Sequence, residues 1–350
     1  MYVEWAALRS ARMPVVIPRI YRKGPMTPPL VLVTGTTVSE HCQKILREAG
    51  AEIDFMGFPV TEDALAAAVA RRPYTAIVLR SSPPVTARVL DAAKSLKLIS
   101  KHGAGTDSID LPAATARGIA VMMANGANAG AVAEHALALM LCIVRELPRF
   151  HRRLQSGQWR DLSYIMRDFK HHTVGIVGYG QIGRRTARLV SAFGAPVLVH
   201  SRSKVDLPEG MAWEPDFDAL LRRVDLISLH CPLTDKTQGL LGKREMALMK
   251  PGSVVINTAR GPIVDETALI EALRSGHLGG AGLDTFAQEP PDPANPLFHM
   301  DNVICTPHVA VATIDASTQM GVIAARNIVS YLRGEVYDAA NFVNPEVMKA

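Results

Sequence analysis

An arginine, a glutamate and a histidine follow one another towards the end of the chain, each just past a short apolar run. Arg260 lies in Asn257-Thr258-Ala259-Arg260-Gly261-Pro262, Glu289 in Gly282-Leu283-Asp284-Thr285-Phe286-Ala287-Gln288-Glu289-Pro290, and His308 closes Thr306-Pro307-His308. A redox enzyme working on a hydroxy or keto acid needs a cation for the substrate carboxylate and carbonyl. It needs an acid/base group that titrates near working pH, and a partner that holds that group in place. Arginine, histidine and glutamate supply these three functions. A carboxylate beside an imidazole favours the protonated ring, which suits reduction of a carbonyl.

The redox partner is indicated upstream. Gly178-Tyr179-Gly180-Gln181-Ile182-Gly183 follows an apolar run, Thr173 to Val177, that reads as a buried strand. It precedes Arg184 to Val190, which reads as a helix. Strand, glycine turn and helix in this order form the dinucleotide fingerprint. The first glycine permits the tight turn, the second the approach of the pyrophosphate, and the third the packing of helix on strand. The helix N-terminus then offers N–H groups to the phosphates. The next strand ends Val197-Leu198-Val199-His200 and is followed by Ser201-Arg202-Ser203-Lys204, with no acid until Asp206. An enzyme that prefers NAD usually places a carboxylate here for the ribose 2′-hydroxyl. Ser201, Arg202 and Ser203 would instead attract a 2′-phosphate, so the cofactor expected is NAD(P), with NADP favoured.

These residues need parallel sheets to position them. From Leu30 the chain alternates apolar runs (Leu30–Thr34, Glu52–Phe55, Ala76–Leu79, Leu98–Lys101, Ile119–Met122) with helical stretches, the pattern of βαβ units. Ala129 to Phe150 reads as one long connecting helix. A second series follows at 174–177, 197–200, 226–229, 254–257, 280–283 and 303–305: six strands, enough for a doubly wound dinucleotide fold. The helix from Ile314 to Leu332 is left over and is expected to pack on the first domain. The fold class is therefore α/β with two doubly wound parallel-sheet domains. A Rossmann cofactor domain (126–307) is inserted into a flavodoxin-like substrate domain (30–125 and 308–340), with the substrate cleft on their border.

The composition of the 350-residue chain is ordinary for a globular protein, 48% hydrophobic and 20% charged. The net charge of +5 is concentrated in the first 29 residues, where Arg9, Arg12, Arg19, Arg22 and Lys23 face only Glu4. It argues for no nucleic-acid surface. The 1–29 extension is expected to be disordered, with Met13 or Met26 as an alternative start and an organellar presequence as the rival reading. Cys42, Cys142, Cys231 and Cys305 form no CxxC pair and read as reduced thiols in a cytoplasmic protein. No apolar run spans a bilayer, so no membrane association is expected. His171-His172 lacks a third ligand and reads as loop, so no metal is expected. Trp159 reads as a packing residue.

With these motifs in hand, the sequence resembles the D-isomer-specific 2-hydroxyacid dehydrogenase family over about residues 30 to 340. The resemblance is carried by Gly103-Ala104-Gly105-Thr106-Asp107-Ser108-Ile109-Asp110, Val132-Ala133-Glu134-His135, the glycine turn, His230-Cys231-Pro232-Leu233-Thr234, Ala259-Arg260-Gly261, Glu289-Pro290 and Thr306-Pro307-His308. It implies His308 as acid/base, Glu289 as its partner and Arg260 as substrate anchor. It also implies that Asp284 holds the nicotinamide amide, that Cys231, Pro232, Thr237, Thr258 and Ala259 line the dinucleotide, and that Arg80, Ser81, Ala104 and Gly105 bind the substrate carboxylate end. The region from Leu79 to Asp110 looks most like the phosphoglycerate dehydrogenase branch. That branch usually uses NAD, so Arg202 pulls towards reductases of glyoxylate, hydroxypyruvate or a similar keto acid. The chain ends at Ala350, and no appended regulatory domain is expected. Formate-oxidising relatives carry glutamine where Glu289 stands. A homodimer is expected, as in the family. The alternative function is a non-catalytic NAD(P)-sensing protein of the corepressor kind, which the absence of long disordered tails disfavours.

Overall fold

The computed structural model describes residues 28–80, 83–160 and 164–349. Contacts divide the chain into two units, one running to Ala127 and resuming at Ser317, the other spanning Asn128–Ala316.

The first unit contains β1 (Leu30–Val33), β2 (Glu52–Phe55), β3 (Ala76–Leu79), β4 (Leu98–Lys101) and β5 (Ala120–Met123). They pair in parallel in the order β2-β1-β3-β4-β5, the flavodoxin-like order. β1, β3 and β4 are buried at every position, and β1 and β3 accordingly read as unbroken apolar runs. The helices between them are α1 (Glu40–Glu48), α2 (Glu62–Arg71), α3 (Ala87–Ala92) and α4 (Leu111–Ala116). Three have an N-cap side chain that accepts a backbone N–H: Ser39 from Cys42, Thr61 from Ala64, and Asp110 from Ala113. Each such cap contributes about 1 kcal/mol.

The second unit opens with α5 (Ala129–Val144) and α6 (Leu147–Gln155). The single helix expected from Ala129 to Phe150 is thus two. Pro148 has no N–H and its ring collides with the carbonyl four residues back, that of Val144, where α5 stops. Glu146 takes the left-handed conformation (φ 47°) at the break.

A parallel sheet follows: β6 (Val174–Val177), β7 (Val197–His200), β8 (Met211–Trp213), β9 (Leu226–Leu229), β10 (Ser253–Asn257), β11 (Leu278–Leu283) and β12 (Val303–Cys305). Its helices are α7 (Gln181–Ala192), α8 (Phe217–Arg223), α9 (Lys243–Leu248) and α10 (Glu266–Arg274). The order β12-β11-β10-β9-β6-β7-β8 is the Rossmann order with a seventh strand added beyond the sixth. Six strands had been expected; β8 was not among them. It is three residues long, sits at the sheet edge beside β7 and has no buried position, so it leaves no apolar run to read.

α11 (Ile314–Leu332) ends the regular structure. Its Ala324, Ala325, Ile328, Tyr331 and Leu332 join Val31, Val33, Val78 and Leu98 in the first unit's core. The unit is continued there by buried Asn327, whose amide donates to the Met123 carbonyl at 3.1 Å and whose oxygen accepts from Asn341 at 2.9 Å. The return to the first unit was placed at His308; the contacts place it at Ser317. The segment around His308 stays with the second unit because its backbone hangs from Asp284 on β11.

Candidate active site

The expected site residues in the described part lie beyond the carboxyl ends of strands, in the segments that follow or, for Gln181, Ile182 and Gly183, in the first turn of α7. Open parallel sheets bind ligands there, at the point where strand order reverses. In the second unit that point is between β6 and β9.

The glycine turn sits there. Gly178 has φ +94°, and a Cβ on it would lie 2.7 Å from the His230 carbonyl group. A Cβ on Gly183 would lie 2.0 Å from the Gly178 carbonyl oxygen. A Cβ on Gly180 would meet nothing within 4 Å. Two glycines are therefore required by the protein's own packing, whereas the middle one leaves open space on the face of the turn. Gly180 is also the N-cap of α7, and no side chain caps that helix, so its first N–H groups are left for a ligand. Open space and uncapped donors at one turn fit a dinucleotide pyrophosphate. Tyr179 is buried, and Arg184 lies over its ring at 5.1 Å while donating to its carbonyl, which stiffens the turn. His230 behind it is pushed down to about 4 by burial and is neutral, bonded to the Ser228 hydroxyl at 2.9 Å.

Beyond β7, Ser201 is bonded to the Ser203 carbonyl at 2.8 Å, and Arg202 and Ser203 are exposed on the turn so formed. Beyond β9, the Thr237 hydroxyl is spent inside its own turn, donating to the Pro232 carbonyl at 2.6 Å and accepting from the Thr234 N–H at 2.8 Å. Its visible task is to shape the Cys231–Pro232 turn. Burial pushes the Cys231 thiol up to about 11, so it is an uncharged, unreactive group. Beyond β10, Thr258 is buried with a hydroxyl that lacks a partner, and Ala259 is half-buried.

His308 and Glu289, expected as an acid/base and its partner, are hydrogen-bonded. His308 Nδ1 is 2.8 Å from Glu289 Oε2. The other Glu289 oxygen accepts the Phe286 N–H at 3.1 Å, and Phe286 is itself buried edge-on against Phe298. His308 has φ 52°, a left-handed conformation that costs about 1–2 kcal/mol outside glycine. It is held there by Asp284. The Asp284 carbonyl accepts the His308 N–H at 2.9 Å, Oδ1 accepts the Val309 N–H at 2.9 Å, and Oδ2 accepts the Ala310 N–H at 2.9 Å. Oδ1 also accepts the Thr306 hydroxyl at 2.6 Å. Asp284 was expected to hold the nicotinamide amide. The structure buries it completely and engages three side-chain acceptor positions in fixing the turn that carries His308.

The hydrogen bond to Glu289 raises the His308 pKa; burial and Arg260 oppose it, and Asp284 assists. Burial pushes Glu289 up, but the bond and charge of His308, the Phe286 N–H and the Arg260 charge together outweigh it, leaving Glu289 below its ordinary value. Arg260, on the turn after β10, thus acts on both members of the pair. It is half-buried, and its Nη1 donates to the Ala259 carbonyl at 2.6 Å.

In the first unit, Arg80 follows β3 and its Nη1 donates to the Thr37 carbonyl at 2.9 Å. Ala104 and Gly105 are half-buried on the turn after β4. Ser81 lies outside the described residues, as does all of the 1–29 extension except Pro28 and Pro29. Lys101 was not singled out from sequence. It is buried and joins the two turns, its Nζ donating to the Arg80 carbonyl at 2.6 Å and the Ser108 hydroxyl at 3.3 Å. Asn128 and Thr285 were also passed over; each is buried with a polar side-chain oxygen that lacks a partner, a signal invisible without the fold. Trp159 is not a packing residue in this chain, since 74% of its surface is exposed. No group of three or more potential metal ligands occurs among the described residues.

The fold and site define a two-unit dinucleotide protein with a histidine–glutamate pair. The profile of the "D-isomer specific 2-hydroxyacid dehydrogenase, NAD binding domain" matches residues 137–310. The chain is 39% identical over 312 residues to a D-3-phosphoglycerate dehydrogenase of Archaeoglobus fulgidus, covering 88% of this chain and 59% of that one. It is 39% identical over 285 residues to a glyoxylate reductase of Thermofilum pendens, covering 79% and 84%. The crystal structure of a glyoxylate reductase from Paecilomyes thermophila superposes with a TM-score of 0.82 at 29% identity, covering 92% of this chain and all of that one. The chain belongs to the D-isomer-specific 2-hydroxyacid dehydrogenase family. It spans only about three-fifths of the archaeal phosphoglycerate dehydrogenase.

The sign of the His308–Glu289 coupling makes a prediction. A histidine whose pKa is raised stays protonated, and able to deliver a proton, up to a higher pH. Glu289→Gln removes the first cause of that rise. The alkaline limb of kcat/KM for carbonyl reduction is expected to move to lower pH, with kcat reduced. An unchanged limb would show that Glu289 does not set the proton affinity of His308.

Proposed function

We propose that this protein is an NAD(P)-dependent D-2-hydroxyacid dehydrogenase acting on a small 2-keto or 2-hydroxy acid of the hydroxypyruvate, glyoxylate or 3-phosphoglycerate type. The observation that carries the reading is the His308–Glu289 pair at 2.8 Å, in a turn fixed by a buried carboxylate and under the charge of Arg260. Bound at the Gly178–Gly183 turn, a nicotinamide dinucleotide supplies or accepts the hydride. Gly180 and the α7 N-terminus hold its pyrophosphate, with Cys231, Pro232, Thr258 and Ala259 alongside. The last free acceptor position of Asp284 is its only means of reaching the nicotinamide amide. Arg260 binds the carboxylate and carbonyl of the acid, and Arg80, Ala104 and Gly105 bind its carboxylate end. With Nδ1 committed to Glu289, His308 uses Nε2 to give a proton to the carbonyl oxygen in reduction and to remove it in oxidation.

NADP is the preferred cofactor in this proposal, because the exposed Arg202 and Ser203 stand where a carboxylate would otherwise reject a 2′-phosphate. The protein acts as a homodimer. Leu147 and Leu154 on α6, with Trp159 and Ile165 after it, are 52%, 58%, 74% and 91% exposed, an apolar surface suited to a second copy. Sedimentation velocity is expected to show a dimer; a monomer at micromolar concentration would remove this part. Cytoplasmic residence is in keeping with four free cysteines, and among the described residues no helix is long and apolar enough to cross a membrane.

The central test is oxidation of NADPH and NADH with glyoxylate, hydroxypyruvate, pyruvate and a wider panel of 2-keto acids. Turnover is expected, and His308→Gln is expected to abolish it while leaving dinucleotide affinity nearly intact. Binding of NADPH without any turnover would favour the sensor instead. For the cofactor, Arg202→Ala is expected to lower kcat/KM for NADPH about tenfold or more, the worth of one charge-assisted hydrogen bond, and to spare NADH. A wild-type enzyme clearly faster with NADH would overturn the preference.

A further inference from the structure

The Asp284 carboxylate that fixes the catalytic turn has an imidazole next to it that the proposed mechanism does not use. His135 Nε2 is 3.0 Å from the Thr306 hydroxyl and 3.7 Å from Asp284 Oδ1. The hydrogen bonds of this group can be assigned by elimination. An ionised carboxylate only accepts, so the Thr306 hydroxyl must give its single hydrogen to Asp284, 2.6 Å away. Its oxygen is then an acceptor towards His135, which must carry a hydrogen on Nε2. The chain runs His135 Nε2–H to Thr306 Oγ1, Thr306 O–H to Asp284 Oδ1, and Asp284 to the N–H groups of Val309 and Ala310 on either side of one carboxylate.

The sequence of β11 explains how a helix comes this close. The strand reads Leu-Gly-Gly-Ala-Gly-Leu. A Cβ on Gly282 would lie 2.9 Å from Leu139 Cβ and 3.1 Å from Ile143 Cδ1, and one on Gly280 would lie 2.8 Å from Ile143 Cγ2. Both contacts are with α5. His135, Leu139 and Ile143 are four residues apart in succession and share one face of that helix. The glycines of β11 therefore let this face settle on the strand, and its first residue meets the strand's carboxyl end, where Asp284 begins the catalytic turn.

We propose that His135 is a positioning residue for the reaction: through Thr306 it fixes Asp284, and through Asp284 it holds His308 in its left-handed turn against Glu289. This rests on the dehydrogenase reading above. It differs from a packing role, because what matters is one N–H donor on Nε2.

Three single variants, one double variant and one spectrum test it. His135→Leu, which fills the volume without a donor, is expected to lower kcat about tenfold, the equivalent of one lost neutral hydrogen bond, with dinucleotide Kd and keto-acid KM within about twofold of wild type. His135→Gln places an amide N–H near the same point and is expected to recover kcat to within about threefold. Thr306→Val is expected to match His135→Leu, and the two together to be no worse than either. Wild-type kcat in His135→Leu, or a glutamine variant no better than the leucine one, would overturn the proposal. The 15N spectrum of histidine-labelled wild-type protein needs no substrate: a neutral His135 protonated on Nε2 supports the assignment, and one protonated on Nδ1 overturns it. If the wild type turns over no keto acid, the dehydrogenase reading fails, and the tautomer still decides the hydrogen-bond chain.

Discussion

A single buried carboxylate, Asp284, organises the turn that brings His308 to Glu289. It has no exposed surface, and burying an unpartnered charge would be prohibitive. Two backbone N–H groups and a hydroxyl satisfy it, all from the segment 306–310. Those bonds work in both directions. They make the buried charge tolerable, and they draw the chain after β12 into a turn that a histidine would otherwise avoid. The left-handed backbone at His308 is the consequence, and it aims the ring at Glu289.

The pair that results is tuned by competition. Partial desolvation alone would favour the neutral form of Glu289, and neutral Glu289 would not hold the imidazolium. Its bond to His308 and the Phe286 N–H reverse that tendency. Arg260 acts with opposite consequences on the two partners: it helps keep Glu289 ionised and makes protonation of His308 harder. The charge of Arg260 thereby limits how far Glu289 stabilises the imidazolium.

Much of this was legible in the sequence, for identifiable reasons. Buried parallel strands are apolar on both faces, so β1, β3, β6 and β9 could be read as blocks. The glycine turn could be read because each glycine answers a separate geometric demand. β8 could not, since an edge strand of three part-exposed residues has no pattern to show. The break between α5 and α6 falls at Pro148, where the reading of one helix from Ala129 to Phe150 ran through. Arg260, Glu289 and His308 could be singled out by residue type, whereas the hydrogen bonds that Asp284 makes could not. An aspartate at a strand end can face a ligand or a loop with the same neighbours in sequence. Only the burial and the three donors, which come from residues more than twenty positions away, separate the two. His135 was hidden for the same reason: its partner Thr306 lies 171 residues on.

The tie between Arg260 and Glu289 is stereochemical, and it explains the glycine that follows the arginine. A Cβ on Gly261 would stand 1.9 Å from the carbonyl carbon and oxygen of Phe286 and 2.5 Å from the Ala287 nitrogen. The turn after β10 and the turn after β11 are therefore packed backbone against backbone, with no room for a methyl group. Phe286 is the residue whose N–H orients Glu289, so the position of Arg260 and that of Glu289 are set by one contact. Lysine or arginine at many sites could supply a positive charge. Holding it at a fixed distance from a carboxylate on a different turn requires two rigid backbones in contact, and side-chain packing alone is too soft to give that. The glycine after the arginine thus ties the turn that carries Arg260 to the turn that carries Glu289 in a single register.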